Sequence, residues 1–283
     1  MSKRPVALDH VSTEELIQEA LTISDEEDDR FWEIIRFLHL NRQDAFEPCV
    51  KLCKDPSSQA RRLGVDILSQ LGLAEKEFDN EILELLLKML KTETDDDVLY
   101  AIGVANSHRN FPELIEPLAL LANHPNDMVR YGVIAGMAGQ LNDLAITTLI
   151  RLTEDEDTEN RDWATFDLGS QIDLDTPAIR DALFARVSDT DVVVRGEALV
   201  GLARRRDERV VNALLHELEY EKGDELAPVQ IVEAADEIRD ARLYSALVKF
   251  REDINWEHIE YTKQDLDALI EALKSMIDEV KND

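Results

Sequence analysis

Apolar residues recur along this chain at intervals of three and four, the period of a helix with one buried face, and nowhere alternate strictly as in a half-buried strand. The runs are short. "EPLALLA", "ITTLIRL" and "IRDALFARV" are each followed by a turn-forming or acidic stretch, "NHPND", "TEDEDTE" and "SDTD", and then by a second helical run. Those second runs align without gaps: "VRYGVIAGMAG" from residue 129, "NRDWATFDLGS" from 160 and "VRGEALVGLAR" from 194. Their arginines, Arg130, Arg161 and Arg195, stand 31 and 34 residues apart. "ARRLGVDILSQ" from 60 repeats the pattern with Arg61, "DVLYAIGVANS" from 97 has Val98 or Leu99 in the arginine's place, and "APVQIVEAADEI" from 227 is a degenerate copy. A hairpin of two such helices cannot bury both faces alone, so successive hairpins must stack. The pattern therefore predicts an all-α fold, an α-solenoid (superhelix) of stacked antiparallel helix pairs.

The residues that carry the alignment resemble HEAT repeats, and more closely the short HEAT-like class first described in phycobilisome lyases. They are the acidic turn, the "VR" that opens the second helix, the alanine three residues past the arginine (Ala164, Ala198) and the leucine or methionine seven past it (Met137, Leu168, Leu202). The resemblance covers residues 44–250. It implies that second helices line a concave surface. It also implies that the opening arginines Arg61, Arg130, Arg161 and Arg195 hydrogen-bond an acid of the neighbouring turn, forming a ladder interrupted at the third copy.

The flanks read as caps, 1–43 as N-terminal capping helices and 251–283 as an irregular segment with a C-terminal capping helix. Ser12 with Glu15, and Ser24 with Glu27, have the spacing of a capping box. Leu266, Leu269, Ile270, Leu273, Met276, Ile277 and Val280 fall on one stripe suited to closing the last repeat. Between repeat and cap, Ile254, Trp256 and Tyr261 read as a packed plug or as an exposed contact.

Composition agrees with helix: there are 10 Gly and 8 Pro in 283 residues, and the 44% hydrophobic content belongs to a folded chain. Charge changes the picture more. With 61 Asp and Glu against 31 Lys and Arg, the formal net charge is -30. Such a field repels a phosphate backbone and attracts basic proteins, although acidity also serves solubility alone. Nucleic acid is therefore not the expected partner, and the strongest cationic cluster, "ARRRDER" from Ala203, sits in one turn. The start lacks the apolar core of a signal peptide and no run approaches a membrane span, so the protein is expected to be cytoplasmic.

No cofactor or metal is expected. Cys49 and Cys53, four apart in a helical stretch, read as small core residues, and zinc binding with His39 lacks a second ligand pair. "DEDTEN" lacks the glycine and terminal glutamate of the helix-loop-helix calcium site. The six histidines, His10, His39, His108, His124, His216 and His258, are scattered over different elements.

With the arginine of each second helix counted as zero, positions three, four and seven are apolar, and positions one, two, five and six turn the other way. One copy places Asp162, Trp163, Phe166 and Asp167 there, and neighbouring copies offer Tyr100, Tyr131 and Glu197. Gly132, Gly136, Gly196 and Gly201 are expected to leave an open trough around the aromatic pair. Exposed aromatics beside acids have the composition of a binding hot spot. The turns are expected to form an acidic rim: Asp95, Asp96, Asp97 and Asp127, then Glu154, Asp155, Glu156, Asp157 and Glu159, then Asp189 and Asp191.

Three functions fit. The first is a non-catalytic scaffold that captures a basic protein, in its narrower form an immunity protein neutralising a nuclease toxin. The second is enzymatic: HEAT-like glycosylases that excise alkylated bases use a tryptophan and an aspartate spaced as Trp163 and Asp167 are, so this stretch looks like theirs. The third, implied by the short-repeat class, is a bilin lyase-like chaperone subunit. The charge favours the first, and the oligomeric state is left open.

Overall fold

The computed structural model of the protein describes residues 8–23, 29–41, 43–219, 227–257 and 259–282. The capping box expected at Ser24 and Glu27, and His258, lie outside them. The described residues hold sixteen α-helices and no strand, and the chain divides into two compact units, residues 1–140 and 141–283.

The first unit contains α1 (Thr13–Thr22) with α2 (Asp29–Asn41), α3 (Phe46–Leu52) with α4 (Ser58–Gln70), α5 (Asp79–Leu90) with α6 (Asp96–Arg109), and α7 (Ile115–Ala119) with α8 (Asp127–Met137). The second contains α9 (Asp143–Leu152) with α10 (Thr158–Phe166), α11 (Pro177–Arg186) with α12 (Val192–Arg204), α13 (Arg209–Glu219) with α14 (Pro228–Ile238), and α15 (Tyr244–Asp253) with α16 (Glu260–Asn282). Within each unit the second helices pack on one another in order, α4 on α6 on α8, and α10 on α12 on α14 on α16.

The turns start the helices by a common device. Asp95, Asn126, Asp157 and Asp191 stand in extended backbone just before α6, α8, α10 and α12, and their side chains accept amides of the first turn. This satisfies donors that a helix leaves free at its start. Ser12 and Glu15 form the reciprocal capping box of α1. Each helix then buries the predicted stripe: Val133, Ile134 and Met137, Ala164 and Leu168, Ala198, Leu199 and Leu202 are all at most 2% exposed.

Second helices approach so closely that only glycine fits at their contacts. A Cβ at Gly103 would lie 2.1 Å from the Gly132 carbonyl oxygen, and one at Gly201 would lie 2.6 Å from Gly169 Cα. A Cβ at Gly136 would meet Leu118 and the Gly103 carbonyl, and one at Gly196 would meet Gln230. The glycines expected to open a trough are therefore consumed by helix packing, which corrects that expectation.

Near the C-terminus, Trp256 packs edge-on against Phe250 with ring centroids 5.8 Å apart and donates its indole N–H to the Arg251 carbonyl at 2.9 Å. Tyr261 is exposed. The α16 stripe closes α15 and α14 through Leu266, Leu269, Ile270 and Leu273, whereas Met276 and Val280 are exposed.

Candidate partner-binding surface

The opening arginines share one geometry. Arg61 Nη1 donates to the carbonyls of Asp55 and Pro56, the turn just ahead of it, while Nε and Nη2 grip the Glu93 carboxylate at 2.8 Å each. Arg161 holds the Asp155 and Glu156 carbonyls and Asp189, and Arg195 holds the Asp189 and Thr190 carbonyls and Glu217. Arg130 Nη1 donates to His124 and Pro125. The planar guanidinium suits this double duty, because its fork matches a carboxylate while a further edge serves the carbonyls. In the third copy, which lacks the arginine, Asp96 of α6 accepts from the Asn126 amide at 2.8 Å instead.

This geometry reassigns part of the acidic rim. The Asp189 side chain is 4% exposed and bonded to Arg161 and Arg186. Burial opposes its ionisation, but Arg161 and the Asp191 amide overcome that and hold its pKa below the usual carboxylate value. Asp95, Asp157 and Asp191 cap helices, Asp96 bonds Asn126, and Asp155 accepts the Asp157 amide. Asp97 and Asp127 in the first unit, and Glu154, Glu156 and Glu159 in the second, are the rim acids with exposed side chains.

Within the second unit, α10 presents Asp162, Trp163 and Phe166 on its outward side. Trp163 is 40% exposed and stands edge-on to Phe166, with centroids 5.8 Å apart. Phe166 and Asp162 are half-buried. Burial, then repulsion from Glu197, Asp191 and Glu159, pushes the Asp162 carboxyl up to about 6. Its Oδ1 is buried without a hydrogen-bond partner. Glu197 of α12 is raised by burial and by Glu233, against the Gln230 amide that bonds it at 3.1 Å and the nearby Arg204.

Asp167 follows where α10 passes into a π turn, Asp167–Gln171. It is 4% exposed, and desolvation raises its pKa to about 7. It was expected as a contact residue; burial places it under the surface instead. In the first unit, Tyr100 and Tyr131 stack with centroids 6.0 Å apart, and the Arg62 guanidinium lies 5.7 Å from the Tyr100 ring centre.

The sequence reading missed a second set of arginines. Arg109, at the end of α6, donates to the carbonyls of Leu68, Ser69 and Leu71 at the end of α4 and to Asp79 at 2.7 Å. Arg205, after α12, binds the carbonyls of Leu168, Gly169, Ile172 and Leu174 at the end of the π turn. Both satisfy free carbonyls at a helix C-terminus. Their burial, each at most 7% exposed, is compensated by these bonds. The "ARRRDER" cluster is thereby spent: Arg204 pairs with Glu233, Arg206 donates to the Glu237 and Ile238 carbonyls, and Arg209 pairs with Asp207 and Asp181.

Cys49 and Cys53 are buried, and burial pushes the Cys53 thiol up to about 12. Among the described residues no group of three or more His, Cys, Asp or Glu is placed to hold a metal ion. No helix among them is long and apolar enough to cross a membrane.

Stacked helix pairs with arginine-linked turns define the class of α-solenoid repeat proteins. More particularly, residues 146–227 match the family model of HEAT repeats. The chain is 28% identical to protein YibA of Escherichia coli K12 over 212 residues, 72% of this chain and 73% of YibA. An X-ray structure of the E. coli YibA protein matches it with a TM-score of 0.70 at 22% identity, covering 97% of this chain and 99% of that one. The crystal structure of an engineered protein matches with a TM-score of 0.51 at 21% identity, covering 94% and 81%. These likenesses concern the fold.

Proposed function

We propose that the protein is a non-catalytic scaffold that captures a basic protein partner, with Trp163 and Phe166 as the anchor and the surrounding carboxylates as the source of steering. The carrying observation is the exposed indole, edge-on to Phe166, beside Asp162, whose Oδ1 has no donor. Long-range attraction raises encounter rates, and desolvated aromatics slow dissociation. Tyr100 and Tyr131 supply a further aromatic patch on the first unit, and Glu197 extends the acidic one. Asp167 lies beneath, 4% exposed, with its backbone N–H donated to the Trp163 carbonyl. A cytoplasmic immunity protein covering a basic nuclease is the narrower form of this reading.

The glycosylase reading gains no support from the site. Carboxylates surround Trp163 and repel a phosphate backbone, and Asp167 is covered. The test is affinity capture from the source cell with wild type and Trp163→Ala, read by mass spectrometry across a salt gradient. A basic protein that elutes as salt rises and is lost with Trp163→Ala supports the scaffold. Recovery indifferent to both salt and the indole refutes it.

A further inference from the structure

We propose that the recess between the far ends of α3 and α5, in the first unit, binds a free small-molecule carboxylate with an apolar chain. The chain lies on Cys53, Leu85 and Met89, and the carboxylate meets Lys54 and Lys88. This goes beyond the scaffold reading and uses none of the residues that carry it. The two helices are pinned at one end. Phe46, which opens α3, stacks on Phe78, just ahead of α5, with ring centroids 4.1 Å apart and planes 11° from parallel. Their other ends frame an open recess of about 430 Å³. That volume falls among those of small-molecule sites, about 300 to 1,000 Å³.

Helical spacing builds the wall on α5. Leu85, Lys88, Met89 and Thr92 recur at intervals of three and four, so they share one side of the helix and of the turn that follows it. The floor is apolar and closed, with Cys53, Leu85 and Met89 3%, 8% and 7% exposed. The edge carries three cations, Lys54, Arg61 and Lys88, against one acid, Glu93. Arg61 and Glu93 neutralise each other. Arg61 Nε and Nη2 bond the Glu93 carboxylate at 2.8 Å each, the amides of Thr94 and Asp95 donate to its Oε1 at 3.0 Å, and the Glu93 side chain is 5% exposed.

The charge that remains at the edge is positive, in a chain whose formal net charge is -30. Among the described residues Lys54 makes no ion pair, and Lys88 pairs only with Glu84, at 3.4 Å with the two side chains 72% and 73% exposed. So exposed a pair contributes little. Neither lysine is needed as a cap, because the turn amides of Cys53, Lys54 and Asp55, and of Lys91, Thr92 and Glu93, already bond carbonyls at the two helix ends. The Thr92 and Thr94 hydroxyls, which make no hydrogen bond among the described residues, add donors to the same edge. Floor and edge select the ligand together. An inorganic anion leaves the apolar floor wet, a neutral chain leaves the lysines unpaired, and a cationic chain is repelled by them. A carboxylate joined to an apolar chain satisfies both.

The experiment titrates decanoate, kept below its micellar concentration, into the full chain by isothermal calorimetry. One molecule should bind per chain. Acetate, which keeps the charge and lacks the chain, should bind about a hundred-fold more weakly or less, and decyltrimethylammonium, which keeps the chain and reverses the charge, should not bind at the same site. Lys54→Gln and Lys88→Gln should each weaken decanoate about two- to five-fold, and the two together about ten-fold. Thr92→Trp places a ring at the exposed wall, where nothing is overpacked, and should abolish binding. Glu84→Gln removes the acid that competes for Lys88 and should tighten decanoate about two-fold, a gain that misfolding cannot produce. The inference is overturned if decanoate does not bind or if the quaternary ammonium binds equally. Affinity unchanged in the double lysine variant or in Thr92→Trp, or no gain with Glu84→Gln, overturns it as well.

Discussion

Asp167→Asn isolates the energetic consequence of placing a carboxyl in the covered end of α10. The pKa is raised from 3.8 to about 7, and burial is its cause. An acid whose folded pKa is raised keeps its proton in the native state after the unfolded chain has released its own. Stability is therefore fully present below about pH 4, is lost as pH rises from about 4 to about 7, and stays reduced above that. The gap corresponds to about 4 kcal/mol as an upper figure, and relaxation of the surroundings lowers it to about 2 to 4 kcal/mol. Asparagine has nearly the same shape and never ionises. The variant should match wild type within about 1 kcal/mol at pH 4 and exceed it by about 2 to 4 kcal/mol at pH 8. Urea unfolding of both proteins at each pH, followed by circular dichroism, measures this. With a slope of about 2 kcal/mol/M the midpoint moves by about 1 to 2 M at pH 8. Comparison within each pH cancels the other titrations, including that of Asp162. A difference independent of pH, or a variant less stable at pH 8, refutes the assignment of Asp167 as a desolvated carboxyl.

Other substitutions test the framework. Arg161→Ala leaves the Asp189 carboxylate, 4% exposed, without its main partner and should destabilise the second unit by about 3 kcal/mol in urea melts, with Arg161→Lys recovering little because lysine lacks the fork. Arg205→Met strips the donors from the carbonyls of Leu168, Gly169, Ile172 and Leu174 and should cost about 3 kcal/mol or more, read as faster amide exchange across the π turn. Gly103→Ala forces a Cβ to within 2.1 Å of the Gly132 oxygen and should lower the thermal midpoint by an amount equivalent to about 2 to 3 kcal/mol, whereas Gly139→Ala, where no atom crowds the position, pays only for its positive φ of 68°.

The fold was legible because its determinants are periodic. The three- and four-residue spacing of Val133, Ile134 and Met137, or of Ala198, Leu199 and Leu202, reports burial directly, and a repeated turn of Asp or Asn before the second helix reports its start. The positions that escaped are those where identical chemistry serves opposite ends. Glycine at Gly132 or Gly201 signals either empty space or another backbone pressed against it, and only the neighbouring helix decides which. Arginine was divided in the same way. Arg61, Arg161 and Arg195 recur in most copies and were visible, whereas Arg109 and Arg205, each fourteen residues past the capping aspartate of its helix (Asp95 and Asp191), share a place that the other copies fill with Leu71, Gln140 and Gln171, so the pair did not stand out as a repeat feature.

The acidic surface shows why charge counting and site finding diverge in a repeat protein. A net charge of -30 is a property of the whole chain, yet Asp189, Glu93 and Glu217 are bound inward by the arginine ladder, and Asp95, Asp157 and Asp191 are spent on helix starts. What remains for a partner is set by subtraction. The exposed rim acids act through a screened field that reaches about 8 Å at physiological salt, enough to steer and too diffuse to specify. Specificity must come from carboxylates that are partly desolvated and still lack donors, because only there does a cation gain more than it loses in leaving water. On the second unit that condition is met beside Trp163, which makes the indole the residue whose loss should separate recognition from mere attraction: Trp163→Ala leaves the charge intact, so it should raise the dissociation rate while leaving the salt dependence of association unchanged.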